Sequence, residues 1–455
     1  MNVTVYDMMD ARDRRVKLQH ETLAKHNCPI VSYTLNIAGN IKRFAHADRC
    51  FYEGKLEVEE LLHRESYTIL ESALTEAKTG IECIWAVDAD ALRLKHILSA
   101  IEESHPLGRL FDIDVISGNG TKVSRHELGL PERACLVCGS IGKACARSRA
   151  HPFSEVIERT HSVINGYFSK KDVQLISKNA VRALLYELAA TPKPGLVDRN
   201  NSGAHKDMHF LTFIDSTVAI SNYFSDMAEA GMRHKGLEPS ELLLKLRKRG
   251  ITAEYEMFKA TRGVNTHKGA IFSIGIICAA CGYLGMPINF PATILDTAAK
   301  IAAPALQNDF CGVTASNAYT HGERAFVKHA LTGIRGEAAA GFPSVCKFGL
   351  PALNNALSRG SSLGDAGIEA LLYLMAHVKD TNIINRAGPV ALDKIQQNLR
   401  EFLGKHPDNA AILAYAEELD SNFISNNISP GGCADLLAVT YMLYFIVEEA
   451  LPCLQ

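Results

Sequence analysis

DVQLISKNAVRALLYELAA, residues 172–190, places apolar side chains at i, i+3, i+4 and i+7, the repeat of an amphipathic helix. The same spacing returns in EALLYLMAHVKD, residues 369–380. Downstream of Lys171 strand-type alternation disappears, and helical segments are separated by polar, glycine-rich loops such as TPKPGLVDRNNSGAHKD and SPGGCAD. Upstream, helix and strand signals alternate. The pattern predicts helices over 7–26, 56–77 and 91–103, and strands over 29–36, 81–87 and 110–116. The expected fold class is therefore multidomain: an N-terminal α/β or α+β domain over 1–168, then a larger all-α domain over 169–455. The expected boundary lies in HSVINGYFSKKD, residues 161–172, which has no long apolar stripe.

Composition narrows the function classes. The chain has 455 residues, 47% hydrophobic and 22% charged, which excludes a disordered or fibrous protein. Its 48 basic and 50 acidic residues give a net charge of -2, so no basic surface speaks for nucleic acid. The start, MNVTVYDMMDARDRR, has no apolar leader segment, and twelve cysteines then read as reduced thiols in the cytoplasm. Residues 269–295 carry no charge, a length that can cross a bilayer. The Gly, Ser and Cys within it and the prolines after it favour a buried helix, and no membrane association is expected.

Four patterns carry candidate chemistry. In RLFDIDVI, residues 109–116, Asp112 and Asp114 alternate with Phe111, Ile113 and Val115, so both carboxylates share one strand face. Such a pair can hold Mg²⁺ against a polyphosphate, and the same pattern also describes a solvated strand face. Asp88 and Asp90 would add a third carboxylate if their strand pairs with this one. A glycine turn at Gly39 followed by Lys42 and Arg43 can present cations to phosphate, or be a simple strand exit. Cys135-x2-Cys138-x6-Cys145-x5-His151 offers a Cys₃His set for Zn²⁺, but a single CxxC with irregular spacing after it weighs against zinc. Cys278 and Cys281 read as small buried thiols.

The helical half holds the fourth pattern, six polar loops. They carry His205, Lys206 and Asp207, then His267 and Lys268, His321 and Glu323, Arg335 and Glu337, Lys379 and Asp380, and Gly431 with Gly432. Each alone fits a helix cap or turn, as Asp207 would before a helix shared with Asp215. Together they suggest a polar pocket ringed by helix termini, suited to Mg²⁺ and a polyphosphate. GxxxxGK[ST], GxGxxG after a strand, GxSxG and HExxH are all missing, so nucleotide P-loops, Rossmann sites, α/β-hydrolases and zincins are unsupported.

TPKPGLVDRNNSGAHKDMHFLTF, TRGVNTHKGAIFS, THGER, LTGIRGEAAAGFP, KDTN and SPGGCADLLAVT span residues 191–440, and on them the helical half resembles triphosphoribosyl-dephospho-CoA synthase. RDRRVKLQHETL, SYTLNIAGNIKR, GRLFDIDVI and ELGLPERACLVCGSIGKACARSRAH give the first half the look of apo-citrate lyase phosphoribosyl-dephospho-CoA transferase. The whole chain resembles the fused, bifunctional form. The resemblance implies that ATP and 3'-dephospho-CoA give triphosphoribosyl-dephospho-CoA and adenine. A serine of the acyl carrier (gamma) subunit of citrate lyase then attacks the α-phosphorus and expels pyrophosphate.

The second step is nucleotidyltransferase-type chemistry, so the resemblance makes Asp112 and Asp114 the expected Mg²⁺ ligands. Asp207, Glu323, Glu337 and Asp380 form the pool for metal binding and the general base. Lys42, Arg43, Arg125, His205, Lys206, His267, Lys268, Arg335, Gly431 and Gly432 are the candidate phosphate and substrate contacts. His209 departs from the family, which is expected to carry an acidic residue there. Two alternatives stay open: a first half that only binds the carrier, and service to a malonate decarboxylase carrier, against which the first half's motifs argue.

Overall fold

The computed structural model describes residues 2–318 and 321–450. The chain forms two compact units, Met1–Lys170 and Lys171–Gln455. In the first, α1 (Val5–His26), β1 (Ile30–Leu35), α2 (Ala45–Arg64), β2 (Thr68–Ala77), β3 (Gly80–Asp88), α3 (Ala91–Ser104), β4 (Phe111–Ile116) and the short α4 (Gly142–Ser148) follow in order. The sheet has the order β2-β3-β1-β4 and every pair is antiparallel, which makes this unit α+β. In place of a helix over 56–77, α2 ends at Arg64 and a strand begins at Thr68. Ile69, Leu70 and Leu74 supplied the helical spacing, yet they stand exposed on a hairpin closed by Gly80 at φ 130°.

The register decides which carboxylates meet. Thr34 pairs with Asp112 and Ser32 with Asp114, so both acids lie on the face opposite the buried Phe111, Ile113 and Val115. β1 separates β3 from β4, and Ile30 pairs with both Ala86 and Ile116. The C-terminal end of β3 therefore lies level with the far end of β4. Asp88 and Asp90 do not join Asp112, and Asp90 instead caps α3 through the Arg93 N–H at 2.8 Å.

α5 (Phe153–Ala189) contains the unit boundary, so residues 161–172 are helical. The second unit continues through α6 (Phe210–Arg233), α7 (Leu242–Ala260), α8 (Lys268–Leu284), α9 (Pro291–Phe310), α10 (His321–His329), α11 (Gly333–Ala339), α12 (Leu350–Ser358), α13 (Leu363–His377), α14 (Thr381–Ala387), α15 (Pro389–Leu403), α16 (Asn409–Ser425) and α17 (Gly431–Ala450). Its described residues form no strand. α8 is the uncharged segment, and from Ala270 to Gly282 all but Phe272 are buried in the helical core. Among the described residues one helix, Gly431–Glu449, is long and apolar enough to cross a membrane by length and composition alone, and most of it is buried inside the unit.

α6 and α8 cross in near backbone contact at two glycines. A Cβ on Gly231 would strike the Ala279 carbonyl, and one on Gly282 the Ala228 carbonyl. Close approach lets the helices interlock without a gap. Gly282→Ala is expected to destabilise the helical unit by about 1–3 kcal/mol through overpacking, measured as a lower urea midpoint with an unchanged slope.

Candidate functional site

In the α+β unit a cavity of about 1230 Å³ is bordered by Asp112, Asp114, Arg125 and Arg133. β4 is an edge strand, and charged side chains rather than another strand meet its outer groups. Ile113 N–H donates to Glu102 Oε1 at 3.3 Å, the Ile113 carbonyl accepts from Lys95 Nζ at 2.5 Å, and Arg133 donates to the Phe111 carbonyl at 2.7 Å. Glu102 is buried and also pairs with Lys95, with Arg125 at 3.1 Å and with Arg133 at 3.3 Å. One buried carboxylate thus gathers three cations beside the D-x-D strand.

Asp114 meets Lys122 at 2.6 Å, and Arg133 lies 3.8 Å from Asp112. Burial, then the neighbouring Asp114 charge, pushes the Asp112 carboxyl above its ordinary value. Arg125 borders this cavity but is held by Glu102 and Glu103. Lys42 donates to the Ile37 carbonyl at 2.5 Å and shares a smaller cavity of about 190 Å³ with Asn36 and Asp112. Arg43 pairs with Asp48, which borders this smaller cavity, at 2.7 Å and with Glu76 at 2.9 Å.

In the helical unit a cavity of about 490 Å³ brings together His205, His267, Lys268, Arg335, Gly431 and Asp435. His205 Nε2 sits 2.9 Å from Ser429 Oγ, and burial beside Arg386 lowers its pKa. His267 is buried, with Nδ1 2.7 Å from Ser216 Oγ and Nε2 without a hydrogen-bond partner. Burial, with Lys193 nearby, pushes this imidazole down to about 3. It is therefore neutral at physiological pH, a hydrogen-bonding group without charge. Lys268 pairs with Glu254 at 2.8 Å and Arg335 with Asp309 at 2.7 Å.

Sequence reasoning missed three members of this cavity. Lys193 and Glu187 form a buried ion pair at 2.5 Å in its wall. Asp435 borders it, and burial, then the Glu187 and Asp380 charges, raises its carboxyl well above the ordinary range. A Cβ on Gly269 would collide with the Asp435 carboxylate, so Gly269 is the signal that this acid reaches the α8 backbone.

Other expected residues fall elsewhere. Lys206 and Asp207 are exposed, and Asp207 precedes α6, where the His209 N–H meets Thr212 Oγ1 at 3.3 Å. Asp207 is thus neither the cap nor a wheel partner of Asp215. Asp380 is buried, and its oxygens accept from the backbone of Asn382, Ile383 and Cys433 at 2.7, 3.3 and 2.9 Å. It caps α14 and ties down the start of α17, which removes it from the pool of free bases. Glu337 accepts from Ser344 Oγ at 2.7 Å and borders an adjoining cavity of about 210 Å³ with Gly432. Glu323 lies on α10, half-buried, where its charge acts on Arg335. A Cβ on Gly431 would approach Asn382 Nδ2 to 2.9 Å, and one on Gly432 the Asp380 carboxylate to 3.0 Å. Their bareness lets α14 and α17 meet end to end.

Each unit thus has its own cavity lined by carboxylates and cations. A family model described as ATP:dephospho-CoA triphosphoribosyl transferase matches residues 173–452. One described as apo-citrate lyase phosphoribosyl-dephospho-CoA transferase matches residues 3–167. The chain is 33% identical over 450 residues to Protein CitXG of Haemophilus influenzae, covering 96% of this chain and 95% of that protein. It is 33% identical over 463 residues to Protein CitXG of Leuconostoc mesenteroides subsp. cremoris, covering 98% and 97%. A probable 2-(5''-triphosphoribosyl)-3'-dephosphocoenzyme-A synthase of Pectobacterium carotovorum is 40% identical over 293 residues, 64% of this chain and 95% of that protein. The chain belongs to the family of fused proteins that join these two transferases.

Removing one partner of a buried charge cluster leaves the others uncompensated. Glu102→Ala is expected to cost the α+β unit about 3–5 kcal/mol, seen as an early-melting transition in calorimetry with the helical unit's transition in place.

Proposed function

We propose that the two cavities perform the two successive steps of one synthesis, the helical unit making the citrate lyase prosthetic-group precursor and the α+β unit attaching it. The chain is a bifunctional transferase. ATP and 3'-dephospho-CoA give 2'-(5''-triphosphoribosyl)-3'-dephospho-CoA and adenine. Phosphoribosyl-dephospho-CoA then passes to a serine of the apo acyl carrier subunit of citrate lyase, and pyrophosphate leaves. The observation that carries this reading is that each family match covers a unit with its own cavity of cations and carboxylates.

In the helical cavity a ribose hydroxyl of dephospho-CoA forms the new C–O bond at the anomeric carbon of ATP's ribose. The C–N bond to adenine breaks, adenine keeps the electron pair, and it needs a proton or hydrogen bond to leave. Asp435, whose carboxyl is made by burial and the neighbouring acids to hold its proton more tightly than an ordinary carboxyl, supplies that proton. Neutral His267 offers Nε2 as a hydrogen-bond partner inside the same walls. Lys268, Arg335 and the bare start of α17 at Gly431 receive the triphosphate. Glu337 and Glu323 remain the candidates for the base that takes the proton of the attacking ribose hydroxyl.

In the α+β cavity Asp112 and Asp114 present hard oxygen donors on one strand face, the donor set that suits Mg²⁺, and their mutual repulsion is what a cation relieves. Bound there, Mg²⁺ neutralises polyphosphate charge. Glu337 is the corresponding candidate in the helical unit. Arg133, fixed by Glu102, and Lys122 face the departing pyrophosphate. We place the enzyme in the cytoplasm, the compartment that keeps free cysteines such as these reduced.

Two variants test the division of labour, each first shown to fold by circular dichroism. Asp112→Asn is expected to lower carrier-dependent pyrophosphate release about 100-fold or more while adenine release stays unchanged. Equal loss of both activities would overturn the two-site assignment, unchanged pyrophosphate release would exclude Asp112 from the reaction, and a natural protein that releases no pyrophosphate with the carrier would leave the first half a carrier-binding module. Asp435→Asn is expected to lower adenine release about 100-fold or more. Because the raised carboxyl acts as an acid, adenine release in the natural protein declines as pH rises through that pKa, and the decline disappears in Asp435→Asn. An unaltered pH profile in the variant would exclude Asp435 as the donor.

A further inference from the structure

Residues 117–152 form the outer wall of the α+β cavity, and they lack what normally holds such a segment. Val123 is the one buried residue among these 36, and the only helices are α4 and a single turn at His126–Leu128. Yet the segment must hold Arg125, Arg133 and Lys122 in fixed places beside Asp112 and Asp114. A stretch this poor in apolar burial needs another source of order.

The structure offers one. Cys135, Cys138, Cys145 and His151 each bring a ligand atom to one point, all within 4.8 Å of one another. The chain folds for this purpose at two places. Around the first pair it makes a tight knuckle: Gly139 N–H donates to the Cys135 carbonyl at 3.0 Å, Cys135 N–H to the Ser140 carbonyl at 2.5 Å, and Gly139 takes φ 77°. A bridge between Ala134 and Ile141 closes the loop. Cys145 then comes from α4, and the residue after its last turn, Arg149, takes φ 51° and turns the chain back toward His151.

Cys138 Sγ and Cys145 Sγ are 3.6 Å apart and not bonded to each other. Zinc–thiolate bonds of about 2.3 Å in a tetrahedron put sulfurs about 3.8 Å apart, so the spacing suits a shared ion and is too long for a disulfide. His151 faces Glu155 with Nδ1 at 3.6 Å, while its buried Nε2 has no hydrogen-bond partner. A carboxylate behind an imidazole whose other nitrogen is free is the arrangement that orients a metal-ligating histidine.

We propose that Cys135, Cys138, Cys145 and His151 bind one structural Zn²⁺ that fastens the outer wall of the α+β cavity. Three thiolates and a neutral imidazole fill all four positions, so the ion is closed to substrate and acts by ordering the wall. Binding releases the three thiol protons, and the free energy of coordination goes into folding residues 117–152. The irregular spacing of the second pair, which weighs against zinc in the sequence, reflects ligands drawn from a helix and the turn after it.

The test is metal analysis of the purified full-length chain, prepared under reducing conditions with zinc present. About one zinc per chain is expected. Cys138→Ser and Cys145→Ser should fall to background, while Cys346→Ser, at an exposed thiol of the helical unit, keeps its zinc. Cobalt added to chelated natural protein should give the intense visible absorption of tetrahedral thiolate coordination, a readout that does not depend on any variant folding. Removal of zinc with a zinc-selective chelator, followed by assay in excess Mg²⁺, should also expose 117–152 to protease and suppress pyrophosphate release, with adenine release intact. A metal-free protein with no cobalt spectrum, zinc content unaltered by Cys138→Ser and Cys145→Ser, or a Cys138–Cys145 disulfide in the purified chain would overturn the proposal.

Discussion

A carboxylate taken out of water costs several kcal/mol unless donors meet it, and the loops around both cavities are organised by carboxylates that satisfy this demand. Glu102 gathers Lys95, Arg125, Arg133 and the Ile113 N–H at the sheet edge. Asp198 accepts from the backbone of Lys193, Asn200 and Asn201, which coils residues 193–201 into one knot. Asp420 takes the Gly195 N–H at 2.9 Å and Asn201 Nδ2 at 2.8 Å, tying that knot to α16. Asp380 joins the starts of α14 and α17. Without these acids the backbone N–H groups of the glycine-rich loops lose the acceptors that draw them together.

On the proposed function, the same constraint gives a nearly neutral chain its places for polyphosphates. With a net charge of -2 there is no long-range field to collect them, so cations must be concentrated locally and held apart from bulk water. Each cavity does this in its own way. The α+β unit clusters arginines on one buried glutamate, and the helical unit combines Lys268, Arg335 and a helix start kept bare by Gly431. Burial shifts two groups of that cavity in opposed directions, His267 down and Asp435 up, so a neutral imidazole stands near a carboxyl that holds its proton more tightly than usual.

Much of this was legible in the chain. The change of texture near residue 171, three of the four core strands and the shared face of Asp112 and Asp114 all follow from periodicity. Failures came where partners are distant in sequence. Ile69, Leu70 and Leu74 fit a helix until Gly80 and β3 make them an exposed hairpin. Asp88 and Asp90 looked adjacent to Asp112 only because the insertion of β1 between their strands is invisible to local patterns. Asp380 resembled a base because a cap and a catalytic acid carry the same residue type, and only its three backbone donors distinguish them. Glu102, Glu187 and Asp435 were overlooked since nothing in their neighbourhoods reveals which cations and glycines they meet.

The central claim is that two cavities, one in each unit, carry two consecutive reactions with different requirements. It is tested most directly by following adenine and pyrophosphate together as the natural protein meets ATP, Mg²⁺ and 3'-dephospho-CoA, with the apo acyl carrier subunit added afterwards. Adenine should appear before the carrier is present and pyrophosphate only once it arrives. Absence of adenine, or pyrophosphate released without any carrier, would contradict the account.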